Sequence, residues 1–351
     1  MTERHSEDSD CSGGRDGSDS EEMRSTTGVD KVDPSSNRND SPISNTSSLT
    51  HIPPGPCTLS WSHSSSVPIT AESESDPPSC VLGVDEAGRG PVLGPMVYAV
   101  SYTPSTHKEK LKDIGFADSK VLSESQRDEL FARIEKESSW IGWAVTVCSP
   151  QDISESMLRR TKYNLNALAH DTTINLIQSV LDQGVNVQEV FVDTVGPAET
   201  YQAKLQKRFP QIGKIVVSKK ADSLFPIVSA ASICAKVTRD AILKNWEFVE
   251  TGIDSTQRGF GSGYPSDPKT TAWLRNHLDP VFGFPRIVRF SWSTTAKLLE
   301  THGVSVLWKH EQEETDSYKL SMSKRLREDA ADTKRQHVTQ RIVNGMKPTL
   351  F

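Results

Sequence analysis

Apolar residues along the chain are concentrated between positions 80 and 300, where short β-rich runs alternate with longer stretches of helical period. Residues 81–84 and 92–102 read as two neighbouring strands joined by a tight glycine-containing connection. Residues 140–147 make a third strand. Between them, Ser123-Glu124-Ser125-Gln126 has the form of a capping box, followed by Leu130, Phe131 and Ile134 at helical spacing. A second helix is expected over 164–181, closed by Gly184. Strands at 190–192 and 215–217 then flank a helix over 199–208, and further helices cover 230–250, 269–277 and 294–300. Periodicity alone therefore gives an α/β protein.

The first eighty residues break this pattern. They are rich in Ser, Asp, Glu, Asn and Pro and hold fourteen acidic against five basic residues, a composition that buries too little apolar surface to fold. The formal net charge of the chain is -6, so removing this acidic leader leaves a mildly basic body. The expected division is a disordered acidic tail over 1–79, a folded domain over 80–300 and a charged extension over 301–351, with scattered Leu and Met that permit a surface helix or disorder but no separate core. Cysteines 11, 57, 80, 148 and 234 are odd in number and show no paired spacing, which argues against a disulfide framework or a zinc site; Cys148 and Cys234 read as small core residues. No run approaches the length of a membrane span and the first residues have no signal-peptide character. A soluble protein of a reducing, intracellular compartment is expected.

Four acids stand where apolar strands run out: Asp85 and Glu86 after residues 81–84, Asp193 after 190–192, and Asp222 just beyond 215–217. Carboxylates at strand ends cost a fold heavily unless a cation sits among them, so a divalent-metal site explains them economically. Adjacent side chains on a strand point to opposite faces, so Asp85 and Glu86 can converge only if the strand stops there and the chain turns. Ala87-Gly88-Arg89-Gly90-Pro91 supplies that turn, its glycines permitting close backbone approach and its arginine offering a charged fork to a phosphate. Metal-holding carboxylates against such a loop suit phosphodiester hydrolysis. Taken singly, each acid is more often a solvated strand-end residue or a helix cap.

The run from Gly83 through Asp85-Glu86-Ala87-Gly88-Arg89-Gly90-Pro91 to Pro95 resembles the signature of type 2 ribonuclease H. Asp118-Ser119-Lys120, Lys162-Tyr163-Asn164-Leu165-Asn166, Phe191-Val192-Asp193, Lys220-Ala221-Asp222, Ala230 through Lys236, and Gly261-Ser262-Gly263-Tyr264-Pro265 follow in the family's order. The later wording, Phe282-Gly283-Phe284-Pro285 with Val288-Arg289-Phe290-Ser291-Trp292, is most similar to the eukaryotic catalytic subunit of that family. The resemblance implies a ribonuclease H-like fold, a mixed central β-sheet flanked by helices with a C-terminal helical extension. It implies that Asp85, Glu86, Asp193 and Asp222 hold two Mg2+ ions, with Mn2+ as a substitute, one ion activating water and the other stabilising the departing 3'-oxygen. Gly88, Arg89 and Gly90 would contact the ribose 2'-hydroxyl, the group that distinguishes RNA from DNA; Tyr264 would pack on the following sugar. Lys120, Asn164 and Thr200 fall at positions that hold the substrate backbones, contacts that set register without reading sequence. Ser232 and Lys236 are expected to pack and cap within a helix, and His170 and His277 to be structural.

The implied activity is cleavage of RNA in RNA/DNA hybrids and incision 5' of single ribonucleotides in duplex DNA, leaving a 5'-phosphate and a 3'-hydroxyl, in nuclear replication and repair. The implied partners are nucleic acid and two noncatalytic subunits. A catalytically silent scaffold of the same fold is the alternative, disfavoured by retention of all four acids. A nucleotide hydrolase is disfavoured because no Gly-Lys-Ser/Thr follows the glycine turn.

Overall fold

The computed structural model describes residues 49–71, 77–116, 122–161, 163–194, 196–253 and 259–306, all within one compact unit, Ser47–Phe351. Among the described residues there are six strands, all but the more polar first one built on Val, Ile and aromatic runs: β1 (Trp61–Ser64), β2 (Cys80–Ala87), β3 (Met96–Pro104), β4 (Gly142–Cys148), β5 (Val187–Asp193) and β6 (Lys214–Ser218). Their order across the sheet is β1-β4-β3-β2-β5-β6. The four on the first side pair antiparallel, while β5 and β6 continue parallel from β2. The parallel half needs crossovers, and helices supply them.

The helices are α1 (Lys110–Asp113), α2 (Glu124–Lys136), α3 (Pro150–Leu158), α4 (Leu165–Asp182), α5 (Ala198–Arg208), α6 (Ala221–Leu224), α7 (Pro226–Lys244), α8 (Pro268–Asn276) and α9 (Ser293–His302). The capping box at the start of α2 is formed: Gln126 N–H donates to Ser123 Oγ at 3.3 Å and Ser123 N–H to Gln126 Oε1 at 2.8 Å. The sheet is covered on both faces, one core containing side chains of α7 and α2 and the other side chains of α4 and α5. This explains why β2 and β3 are buried almost end to end instead of alternating with polar positions.

α7 is nearly enclosed and lies against β2 and β3. Its approach depends on Gly83, where a Cβ would stand 2.4 Å from the Ile227 carbonyl oxygen. The helix begins earlier and ends earlier than the 230–250 expected, because Pro226 suits a first helical position. Among the described residues no helix is long and apolar enough to cross a membrane.

Two boundaries differ instructively from the sequence reading. Residues 92–95 are not strand: Val92 and Leu93 are buried in a loop, and Gly94 takes φ 79°. Their hydrophobicity serves the core without a ladder. The stretch assigned to the tail also contains folded chain, since β1 pairs with β4 and His51 is buried with its Nε2 3.0 Å from Thr238 Oγ1 of α7. Trp61 and His63 do alternate with serines in β1, but only pairing to β4 makes so polar a segment ordered. Cys148 and Cys234 are buried as expected, and so are Cys57 and Cys80. α9 realises the start of the C-terminal helical extension; residues beyond 306 lie outside those described.

Candidate active site

Because β2, β5 and β6 run parallel, their C-terminal ends open on the same edge of the sheet, where α/β proteins hold ligands. Val84 pairs with Val192, so the next positions outward are Asp85 and Asp193; Asp193 in turn pairs with Ser218. Past β6, Lys220 adopts a left-handed conformation, φ 57°, and turns the chain into α6. The Ala221 N–H there donates to Asp193 Oδ1 at 3.0 Å. Asp222, next in line, is buried in the single turn of α6. Asp85 near the end of β2, Asp193 at the end of β5 and Asp222 in the helical turn just past β6 thus come from three adjacent strands and their continuations.

Asp85, like Asp222, is almost fully buried. Burial raises its pKa to about 7; a Ser232 hydrogen bond opposes this, the Asp193 charge adds to it, and Lys236 opposes it from α7. The Glu86 N–H also donates to Asp85 Oδ1 at 2.7 Å. Ser232 and Lys236 therefore face the site, contrary to the expectation that they only pack and cap.

Glu86 does not turn to meet Asp85. β2 continues to Ala87, so strand alternation holds: Val81 and Ala87 lie in the core beneath α7, whereas Cys80, Leu82 and Val84 lie in the core beneath α4 and α5. Asp85 shares the first face and Glu86 the second. Among the described residues no three His, Cys, Asp or Glu side chains are grouped closely enough to hold a metal ion. The donor chemistry nonetheless fits a hard divalent cation: the oxygens come from carboxylates, and the repulsion between Asp193 and the buried Asp85 is what such a cation relieves.

The Gly88–Gly90 loop follows directly. Gly88 has φ 77°, and a Cβ there would collide with the Arg239 side chain. Gly90 lies under Tyr264, whose Cε1 would be 3.0 Å from an added Cβ; Tyr264 itself is half exposed. Arg89 donates through Nη2 to Asn166 Oδ1. Asn164 is exposed and caps α4, accepting from the Ala167 N–H at 3.0 Å. Thr200 is exposed on α5, and Lys120 lies outside the described residues. His170 stacks on Tyr201 with ring centroids 3.8 Å apart, and His277 on Trp273 at 4.1 Å.

Two fully or nearly buried arginines, Arg239 and Arg289, have no role in the sequence reading, where Arg289 stands only within a family-like block. Arg289 donates from Nε to the Gly94 carbonyl at 2.8 Å, from Nη1 to that of Arg89 at 3.1 Å and from Nη2 to that of Gly88 at 2.6 Å. Arg239 donates to the carbonyls of Pro95 and Leu93 at 3.1 and 3.3 Å, and the Trp292 indole N–H to that of Gly90 at 3.1 Å. Burial, with Arg239 close by, pulls the Arg289 pKa down to about 9, which leaves it charged at neutral pH. The loop carrying Gly88, Arg89 and Gly90 is thus held by its oxygens from behind. The available signal was a charged residue inside the apolar run Ile287-Val288-Arg289-Phe290.

Residues 82–295 match the family model described as ribonuclease HII. The chain is 62% identical over 229 residues to the ribonuclease H2 A-subunit of Bos taurus, a match covering 65% of this chain and 76% of that one. It is 57% identical to the same protein of Homo sapiens, covering 69% and 80% respectively. Among solved structures, the ribonuclease H2 of Pyrococcus horikoshii superposes with a TM-score of 0.53 at 33% identity, covering 64% of this chain and 98% of that one. The Archaeoglobus fulgidus ribonuclease HII, solved in complex with PCNA, gives a TM-score of 0.51 at 30% identity, covering 62% and 96%. The matched span runs from β2 to α9 and includes every candidate carboxylate and the loop that follows them: the chain belongs to the ribonuclease HII family and is of its eukaryotic A-subunit type.

Proposed function

We propose that this chain is the catalytic subunit of a type 2 ribonuclease H, an endoribonuclease that cuts RNA in RNA/DNA hybrids and incises 5' of single ribonucleotides in duplex DNA. Family membership carries the activity. The contact of Gly90 with Tyr264, immediately beyond the Asp85 strand end, is the observation that supports action at a single ribonucleotide. A glycine-flanked backbone beside an exposed aromatic suits a ribose followed by a deoxyribose, with the 2'-hydroxyl met by Gly88, Arg89 and Gly90.

In this reading Asp85, Glu86, Asp193 and Asp222 hold divalent cations, Mg2+ or Mn2+. When bound, these supply Lewis-acid stabilisation of the phosphate and a water more easily deprotonated, giving a 5'-phosphate and a 3'-hydroxyl. The chain's own contribution is placement. Ser232 and Lys236 orient and offset the charge of Asp85, Ala221 fixes one oxygen of Asp193, and the carbonyl-bound loop keeps its opposite edge toward substrate. Lys120, Asn164 and Thr200 would contact the nucleic-acid backbone; for Asn164 this role would be shared with capping α4. The protein works within a multi-subunit complex, and we assign it two noncatalytic partners and a nuclear location by family.

Single-turnover cleavage of a duplex with one ribonucleotide tests this reading. The chain, supplied with its partner subunits, is expected to incise 5' of that ribonucleotide only when Mg2+ or Mn2+ is added. Asp193→Asn keeps the shape of the side chain but removes its charge, so it is expected to lower the single-turnover rate by at least about a hundredfold while hybrid binding persists. Absence of any metal-dependent cut in the assembled complex would favour a silent scaffold instead.

A further inference from the structure

The second core holds phenol hydroxyls that no packing argument explains. Tyr98 of β3 stands directly opposite Glu86 in the antiparallel register, so the two side chains share a face of the sheet. Tyr98 is 1% exposed, and its hydroxyl has no hydrogen-bond partner among the described residues. Tyr201 of α5 is equally buried and its hydroxyl is likewise unsatisfied; its neighbour Thr173 offers no well-formed bond. Both phenols feel the charge of Glu86, Tyr98 feels Tyr201 and Arg89 as well, and His170 stacks flat on the Tyr201 ring.

A buried donor without an acceptor is a standing cost, and phenylalanine would fill the same volume without it. Two such donors meet where the strand carrying the candidate carboxylates turns Glu86 away from Asp85. The first-coordination carboxylates of metal sites are typically held by hydrogen bonds from behind, which fix which oxygen faces the ion. On the α7 side Ser232 does this for Asp85; the corresponding place behind Glu86 is occupied by Tyr98.

Resting on the metal-site reading above, we propose that Tyr98 is a positioning residue for Glu86: its buried hydroxyl donates to the Glu86 carboxylate when the site takes a divalent cation, and so aims the carboxylate back over the strand end. Tyr201 of α5, in the same core, is the lesser contributor.

The test uses Tyr98→Phe and Glu86→Gln, singly and together, in the full chain assembled with its partner subunits. Mn2+ binding is read by electron paramagnetic resonance, beside kcat, KM and the metal-free Tm. Tyr98→Phe is expected to weaken Mn2+ binding about tenfold and to lower kcat with KM for the duplex unchanged. Its metal-free Tm should be the same or higher, and it should add nothing to Glu86→Gln. A purely structural tyrosine would instead lower Tm and leave Mn2+ affinity alone. Weakened binding in Glu86→Gln with unchanged binding in Tyr98→Phe overturns the proposal and leaves the metal site standing; unchanged binding in Glu86→Gln overturns both.

Discussion

Arg289 shows how much a single side chain can decide. Its guanidinium is wholly buried, yet among the described residues it meets three backbone carbonyls and no carboxylate. A planar fork of donors suits three oxygens on a curved loop, which the point charge of a lysine cannot span. Arg289→Lys strands one or two buried carbonyls, each costing about 1–3 kcal/mol. We expect a loss of about 2–4 kcal/mol in urea unfolding, with cleavage at a single ribonucleotide falling further than hybrid binding. A change within about 0.5 kcal/mol would show that the loop holds itself. The charge inside an apolar run marks Arg289 as unusual, but spacing cannot say that it sits behind a loop about two hundred positions away. The acids themselves were legible as a set: one carboxylate after an apolar run is ordinary, whereas four of them call for a common cation.

At the scale of elements, β2 and α7 meet backbone against backbone. Gly83→Ala would drive a methyl group into backbone at Ile227, and backbone cannot rotate aside as a side chain can. We expect a loss of at least about 2 kcal/mol by overpacking, together with weaker Mn2+ binding, because α7 carries Ser232 and Lys236 to Asp85. Wild-type stability in that variant would mean that the helix can shift freely.

The 49–71 segment makes a second joint, through His51 among Trp143, Phe131 and His63. Burial and the nearby His63 lower the His51 pKa from 6.5 to about 4. Between those values the unfolded chain binds a proton there that the folded chain does not, so stability falls as pH drops through that window. Asp85 opposes this: its raised pKa gives the metal-free folded state the extra proton between its ordinary 3.8 and about 7, and stability there rises as pH drops. Comparing wild type with His51→Phe isolates the histidine. The variant's Tm is expected to decline less than wild type between pH 6.5 and 4, and identical slopes would refute the assignment. Most strands and helices between 80 and 300 were readable from their periods, α3 being among the exceptions; the 49–71 segment was not, because its few apolar residues are set among serines and prolines and gain their partners from distant elements such as β4, α2 and α7.

Over the whole molecule, function follows from a topological fact: strands β2, β5 and β6, drawn from separate stretches of sequence, end side by side. The α/β character could be read from periodicity, whereas the sheet order was available only through family resemblance. What neither supplied was the fate of Glu86, because whether β2 stops or continues is decided by pairing with β3, whose register runs on to Ala87 and Val97. The same pairing sets two carboxylates on opposite faces and brings Tyr98 behind one of them. Catalysis on this account requires an ion to draw them to a common edge.

The most direct test is crystallographic: the chain, assembled with its partners, bound to a non-cleavable duplex carrying one ribonucleotide, with Mn2+ located by its anomalous scattering. The account predicts Mn2+ within coordination distance of carboxylate oxygens from Asp85, Glu86, Asp193 and Asp222, with the ribose 2'-hydroxyl against the Gly88–Gly90 backbone and the following sugar on Tyr264. Manganese bound elsewhere, or a ribonucleotide held away from that loop, would contradict it.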